Sequence, residues 1–487
     1  MEIMDNKMWY KPLQGSGIIK SGDLKNILRK SEDPLLIECL YLDTADRTLL
    51  ANNAVLLITD TGGVLKQAAV FTVDACEEDY TTKLPESGID LSLFPKSVHE
   101  RLCGILNGAP LQIQFVSAFE QKKRILTLED VPSCLLIRML SHFEESGEQR
   151  ELCALSVQSM DNGMPPTAQQ LAVFGSLTPC EPPLIEAMRL CASGCYPSVS
   201  EKRIKKTVQT SWARLLGIRL FDLVKAYVAL SPMQFDKKSV LRLRVAARKL
   251  VALIGIFKEA FGEKANSYKD ALDRLIDDTD DIRAIDLLTD EIDTVSSMHR
   301  DFDFTPLKKR LADKRKACCA ELSGTYENGG YADGIAAFWV QMHKNMHEGL
   351  SNEDIIKAAD RIREWAVALN MIKKAELHDI DAMHEYRKTI RKLRYALEGL
   401  SEVTVKRVAK AIKSCKRMQD EFGMVGDLAS HIKTLQKLSA EANNAEMALL
   451  CGVCCGIFAE SLPDMQNEAV SVWKDCRNDI KTLEDTL

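Results

Sequence analysis

Two segments, Leu241-Arg242-Leu243-Arg244-Val245-Ala246-Ala247-Arg248-Lys249-Leu250 and His384-Glu385-Tyr386-Arg387-Lys388-Thr389-Ile390-Arg391-Lys392-Leu393, align without a gap, Leu241 falling on His384. Arg244 then falls on Arg387, Arg248 on Arg391, Lys249 on Lys392 and Leu250 on Leu393. A repeat of this kind predicts two related helical bundles, each presenting a charged face. At about 100° per residue, Tyr386, Ile390, Leu393 and Leu397 form one apolar stripe that must face a core. His384, Arg387, Arg391 and Arg394 form a basic stripe away from it, flanked by Lys388 and Lys392. In the first copy Lys237, Arg244 and Arg248 share a face, and no acid interrupts residues 237–249. Like charges at i,i+3 and i,i+4 cost a few tenths of a kcal/mol per pair. Tolerating them twice in a chain of net charge −6 points to an anionic ligand.

Outward from the repeat, residues 201–487 carry 47 Lys+Arg against 44 Asp+Glu, whereas residues 1–200 carry 17 against 26. Twelve of the 15 prolines lie in the first 200 residues. Proline is excluded from helix interiors, so the second part is expected to be almost wholly helical, with about ten helices. Its breaks are read at Ser231-Pro232, Phe261-Gly262, Phe304 to Pro306, Glu327 to Gly330, Gly349 to Asn352, Gly423 to Gly426 and Leu462 to Asp464, and Ser351 is an N-cap. Residues 1–190 read as strands (Lys7–Lys11, Ile37–Leu42, Ala54–Thr59, Leu111–Val116, Leu135–Ser141, Leu152–Gln158) with helical patches near 90–107 and 167–177. The fold class is therefore α+β in two domains: an antiparallel barrel or sheet over 1–196, then a helical domain over 203–487. The latter divides into bundles at about 207–300 and 330–441, with extra helices at 443–487.

Composition excludes several classes. With 46% hydrophobic and 28% charged residues the chain is globular. The longest apolar run, Met447 to Ala459, is read as a buried helix rather than a membrane span. The N-terminus lacks the basic segment of a secretory signal. Fifteen scattered cysteines fit reduced thiols in a cytoplasm, and Cys451, Cys454 and Cys455 fit helix packing. His343 and His347 are spaced i,i+4 without a third ligand, so no metal is assigned, and no cofactor loop occurs.

In the first domain, Tyr41-Leu42-Asp43-Thr44-Ala45-Asp46, Leu49 and the strand and turn to Gly63 resemble the CYTH domain, the triphosphate tunnel metalloenzyme family. The resemblance implies a barrel with Glu-x-Glu, Arg-x-Arg and closing Glu-x-Glu strands that hold metal and triphosphate. This chain has Lys7 and Trp9, then Leu57 and Thr59, then Ala154 and Ser156 at those positions, keeping only Lys11. The expectation is a CYTH-like fold whose catalytic carboxylates are lost, a pseudoenzyme. An alternative is a metal-dependent inorganic triphosphatase using acids such as Glu2, Asp5 or Asp161.

The second domain resembles the CHAD family, whose motif His-x-x-Arg-x-x-x-Arg/Lys-x-Leu-Arg is matched by His384, Arg387, Arg391, Leu393 and Arg394, with Tyr395 following. Gln419 to Gly423 with Asp427 resembles that family's next helix and turn. In the first copy Leu241 stands in place of histidine. The resemblance implies two four-helix bundles and a basic channel for inorganic polyphosphate, and CHAD often follows CYTH in one chain. It places Lys237, Arg244, Arg248, Lys249, His384, Arg387, Lys388, Arg391, Lys392, Arg394 and Tyr395 at the ligand. Chemistry agrees: a phosphate chain offers charge and no bases, and arginine grips phosphate oxygens in pairs. Aromatics, 6% of the chain, interleave the stripe only at Tyr386 and Tyr395, so nucleic acid is the weaker expectation. The function expected is polyphosphate binding without hydrolysis, in the cytoplasm or at polyphosphate granules. A scaffold for an acidic partner protein is a further alternative. Basic runs at Lys308–Arg310, Lys314–Lys316 and Lys406–Arg417 are candidate extensions of the channel.

Overall fold

The computed structural model describes residues 7–12, 28–31, 35–61, 63–73, 76–85, 88–128, 131–145, 148–159, 177–197, 208–230, 235–328, 330–403, 408–442 and 444–483. The chain folds as two compact units. The first holds residues 1–204 and Glu327–Lys344, the second Lys205–Tyr326 and Asn345–Leu487.

Strands β1 (Lys7–Pro12), β2 (Leu28–Ser31), β3 (Leu35–Asp43), β4 (Ala54–Thr61), β5 (Val64–Val73), β6 (Cys76–Lys83), β7 (Gln112–Leu128), β8 (Val131–Glu145), β9 (Glu148–Ser159), β10 (Leu177–Cys180) and β11 (Tyr196–Pro197) form one sheet. The order β8-β9-β1-β6-β5-β4-β3-β7 returns to β8, which closes an eight-stranded antiparallel barrel, the architecture implied by the CYTH resemblance. Closure leaves these eight strands no free edge. Side chains alternate across a strand, and much of the inward set is apolar: Trp9, Cys39, Tyr41, Val55, Leu57, Ala68, Val70, Phe115, Phe119, Ile137, Met139 and Ala154 share one core. Tyr41 and Phe115 stack at 4.0 Å inside it. Helix α1 (Lys96–Leu106) occupies the helical patch read near 90–107, whereas 167–176 lies outside the described residues. Helix α2 (Pro183–Ala192) adds Ile185 and Met188 to the same core.

The longer helices that follow are α3 (Val208–Val228), α4 (Lys237–Ile256), α5 (Ala265–Asp277), α6 (Asp280–Met298), α7 (Thr305–Glu327), α8 (Ala332–Glu348), α9 (Asn352–Asn370), α10 (Ile380–Val403), α11 (Ala409–Ala440) and α12 (Ala445–Lys481). Ser351 caps α9 in a reciprocal capping box with Asp354. Segment Glu327–Lys344, which the sequence placed at the opening of the second bundle, folds with the barrel unit. There His343, 2% exposed, sets Nδ1 2.8 Å from Asp60 and 3.6 Å from Glu38, and its ring lies 3.7 Å from that of Trp339. Asp60 is thus an acid beside His343 that the linear sequence did not reveal.

Two expected breaks are absent. Helix α11 runs unbroken through Gly423 and Gly426, and α12 through Pro463. Pro463 and Ala459 are both exposed, so the carbonyl that proline leaves unpaired faces water. The Met447–Ala459 run is only half buried. Leu450, Cys451, Cys454 and Phe458 join a core with Leu428 and Leu435, while Leu449 is 57% exposed. By length and composition alone, one 18-residue window of α12 suffices to cross a membrane, with 22% of it buried. All fifteen cysteines are free thiols.

Candidate functional site

The repeated basic segments lie on α4 and α10. Asp236 caps α4, accepting from the backbone N–H groups of Lys238 and Ser239 at 2.9 and 3.0 Å. On α10 the apolar stripe is buried at Ile390, Leu393 and Leu397, and Tyr386 donates its hydroxyl to Glu376 at 2.6 Å. The two helices pack directly on one another. A Cβ at Gly399 would lie 3.0 Å from Leu253 Cδ1, so glycine here permits the close approach. Lys249 Nζ on α4 reaches Glu398 Oε2 on α10 at 3.8 Å.

Most of the expected cations are already matched. Lys237 pairs with Asp290, and Lys388 with Glu385 at 2.8 Å. Arg394 reaches Glu398 at 3.7 Å and lies 4.5 Å over the ring of Tyr395, which is buried. Arg387 Nη1 pairs with Asp427 at 3.2 Å. Arg244, only 3% exposed, donates to the Ile276 carbonyl, to Thr279 Oγ1 and to Asp280, which anchors α5 and α6 to α4. Arg244 is a structural arginine by this geometry, although its place in the repeat made it a ligand candidate. Lys392 sits 5.6 Å from the ring of Trp365.

Arg248 and Arg391, equivalent in the repeat, differ from these. Neither has an ion-pair partner among the described residues. Burial, then Arg391 and Arg244, push the Arg248 guanidinium down to about 9. Burial and Arg387 lower that of Arg391. The Nε atoms of Arg244, Arg248, Arg387 and Arg394 are buried without a hydrogen-bond partner. Buried unsatisfied donors and unpaired charges each cost free energy that a fold ordinarily avoids. Here four such donors and two repelling cations gather on two adjacent helices, a site that an anion would complete. His384 is exposed overall, and partial desolvation of its ring, with Lys388 and Arg387 nearby, keeps its titration below the ordinary histidine range.

Helix α11 explains its two glycines. A Cβ at Gly423 would lie 2.9 Å from Arg387 Nη2, and one at Gly426 would lie 3.8 Å from His384 Nδ1. Arg387 thus rests on α11 backbone at Gly423, where a side chain would shift its guanidinium, whereas a Cβ at Gly426 would meet His384 at an ordinary contact distance. At Gly423 glycine serves a close approach rather than a turn, and the helix continues through both positions.

The other basic runs divide. Arg315 bonds Asp286 Oδ1 at 2.7 Å, and Asp286 is wholly buried. Lys308 pairs with Asp293 at 2.7 Å. Lys410, Lys413, Lys416 and Arg417 are exposed on α11, while Lys406 and Arg407 lie outside the described residues.

In the barrel, Trp9, Leu57, Thr59, Ala154 and Ser156 are buried where the CYTH resemblance implied charged ligands. Glu2, Asp5 and Asp161 lie outside the described residues. Two inward acids escaped the sequence reading. Glu77, 3% exposed, accepts from Trp9 Nε1 at 2.9 Å, and Lys7 lies 3.8 Å from Glu77 and 3.6 Å from Asp79. Burial raises the Glu77 carboxyl to about 7, against the pull of Lys7. The folded chain therefore binds this proton more tightly than the unfolded chain does. Stability is fullest below pH ~4.5 and falls as pH rises to ~7, by on the order of 3 kcal/mol for this group. Glu77→Gln keeps an acceptor for Trp9 and should flatten that part of the profile. Urea denaturation at pH 5 and pH 8, wild type against variant, measures it, and equal slopes in the two proteins would refute it.

This chain thus comprises a closed barrel unit and a helical unit with a duplicated basic helix. Residues 222–436 match the family model described as "CHAD domain", and that part of the chain is a CHAD domain. Among solved structures, the chain is similar to the CHAD domain from the plant Ricinus communis, at 16% identity and TM-score 0.46, covering 58% of this chain and 95% of that one. It is also similar to a putative adenylate cyclase from Bacillus halodurans, at 13% identity and TM-score 0.25, covering 41% and 96%. No curated protein matches the chain.

Proposed function

We propose that the protein binds condensed inorganic phosphate, a polyphosphate or similar polyanion, between α4 and α10 and does not hydrolyse it. The observation that carries this reading is the pair Arg248 and Arg391. They are repeat-equivalent, mutually repelling, without an ion-pair partner among the described residues beyond the partial pull of Asp280, which Arg244 already holds, and flanked by arginine Nε–H groups that lack hydrogen-bond acceptors. A folded protein retains such a cost where a ligand offsets it. Phosphate oxygens supply what these groups lack, since each accepts several hydrogen bonds and charge-assisted bonds are the stronger ones. The apolar Trp9, Leu57 and Ala154 at barrel positions implied for charged ligands support binding without turnover.

Calorimetric titration of the full chain with tripolyphosphate, beside a single-stranded RNA of equal charge, tests the reading. Saturable binding that weakens with salt and is stronger for tripolyphosphate is expected, with no orthophosphate released when Mg²⁺ is added. Preference for RNA, or no binding of either, would overturn it.

A further inference from the structure

We propose that Glu38, Asp60, His343 and His347 hold a divalent transition-metal ion of the zinc class on the outer face of the barrel. Glu38 on β3 and Asp60 on β4 are direct cross-strand partners in the antiparallel register. Side chains alternate across a strand, and Cys39, Tyr41, Val55 and Leu57 fill the barrel core, so Glu38 and Asp60 share the outer face. The site is therefore separate from the barrel interior, where the CYTH resemblance implied metal. Like charges directly opposed on neighbouring strands destabilise a sheet. The chain nevertheless buries Asp60 beside Glu38 and sets His343 of α8, itself buried, against both.

Both carboxylates converge on one nitrogen. His343 Nδ1 lies 2.8 Å from Asp60 Oδ2 and 3.6 Å from Glu38 Oε2. An ion with bonds of about 2.0–2.2 Å holds neighbouring ligand atoms roughly 3 Å apart, the scale of these separations. Asp60 Oδ1 accepts the Gly63 N–H at 2.8 Å, which turns Oδ2 toward the histidine. The Trp339 ring, 3.7 Å from that of His343, fixes the imidazole plane. His347 follows one turn later on the same helix, and residues at i and i+4 share a helix face. It supplies a second nitrogen, and Asp60 is the third ligand that the His343–His347 spacing lacked. Imidazoles with carboxylates suit zinc, cobalt or nickel, whereas magnesium and calcium prefer oxygen alone. A dication also balances both acids, which a singly charged imidazolium balances only by half.

Titration of the full chain with Co²⁺ and Zn²⁺, after treatment with EDTA and in phosphate-free buffer, tests the site. Cobalt should bind at about one equivalent, with visible d–d absorption and without the near-ultraviolet charge-transfer band of a thiolate. That distinction matters because the chain carries 15 cysteines, all free thiols. Zinc, followed by competition with a chromogenic chelator, should also raise the melting temperature, since only the folded chain brings these ligands together. Glu38→Gln with Asp60→Asn keeps acceptors for His343 and Gly63 and removes the opposed charges. This double variant should fold and lose zinc affinity by at least about a hundredfold. His347→Gln, at an exposed position, should weaken zinc about tenfold or more and leave the metal-free melting temperature unchanged. Absence of a sulfur-free cobalt spectrum would overturn the site, leaving His343 as a proton-bearing bridge between the two acids. Zinc affinity within about twofold of wild type in the folded double variant would overturn it equally. The site shares no residue with α4 or α10, so neither outcome bears on phosphate binding.

Discussion

Replacing Arg248 and Arg391 together by glutamine should remove tripolyphosphate binding and at the same time make the protein more stable. The two effects have one cause. Both guanidinium groups are largely removed from water, Arg248 is pushed down to about 9 by burial and by Arg391, and Asp280, already paired with Arg244, offsets this only in part. Neutral amides relieve that repulsion, for a gain of roughly 1–3 kcal/mol after lost packing of the arginine stems. Two charge-assisted contacts to phosphate are worth about 1.5–3 kcal/mol each, so affinity should fall at least a hundredfold. Thermal denaturation and calorimetry on the same preparation provide the check. A stabilised double variant that still binds tripolyphosphate as before would show that the two arginines are not the site. Opposite movements of stability and affinity are what distinguish a binding arginine from a structural one.

Arg315 should behave in the contrary way. Asp286 is wholly buried and takes its charge compensation from Arg315, which also donates to the Phe235 carbonyl. That carboxylate holds the Arg315 guanidinium above its ordinary range. Arg315→Ala strands an ionised carboxylate in the helical core, at a cost of about 3–5 kcal/mol. Affinity of the folded variant for tripolyphosphate should stay within about twofold, since Arg315 is not among the groups of the proposed site. Asp286→Asn in the same chain should recover part of the loss. Urea unfolding of the single and double variants measures both terms, and a single variant of wild-type stability would refute the assignment.

Much of the fold was legible in the order of residues. Period-two segments at Leu111–Val116 and Leu152–Gln158 fell in barrel strands, and the scarcity of proline in the second part fitted its succession of long helices. Ser351 and Asp354 announced a helix start because a cap is a local arrangement. Less was legible where a residue answers to a distant partner. Gly423 and Gly426 read as a turn, yet both sit within α11, and Arg387 from α10 lies against the bare backbone at Gly423. Nothing local in the sequence singled out the strand β6 acids, although Glu77 faces the barrel core and meets Trp9 from β1.

The same division runs through the candidate site. The gapless repeat and the helical period were enough to put Arg244, Arg248, Arg387 and Arg391 on equivalent faces of two related helices. Periodicity says nothing about which charges are cancelled, since the acids that cancel them arrive from elsewhere: Asp280 opens α6, and Asp427 lies within α11. Only the packing of α5, α6 and α11 against α4 and α10 made Arg244 a strut and left Arg248 and Arg391 unmatched. Electrostatic energy depends on distance in space and on burial, and neither is a property of position along the chain.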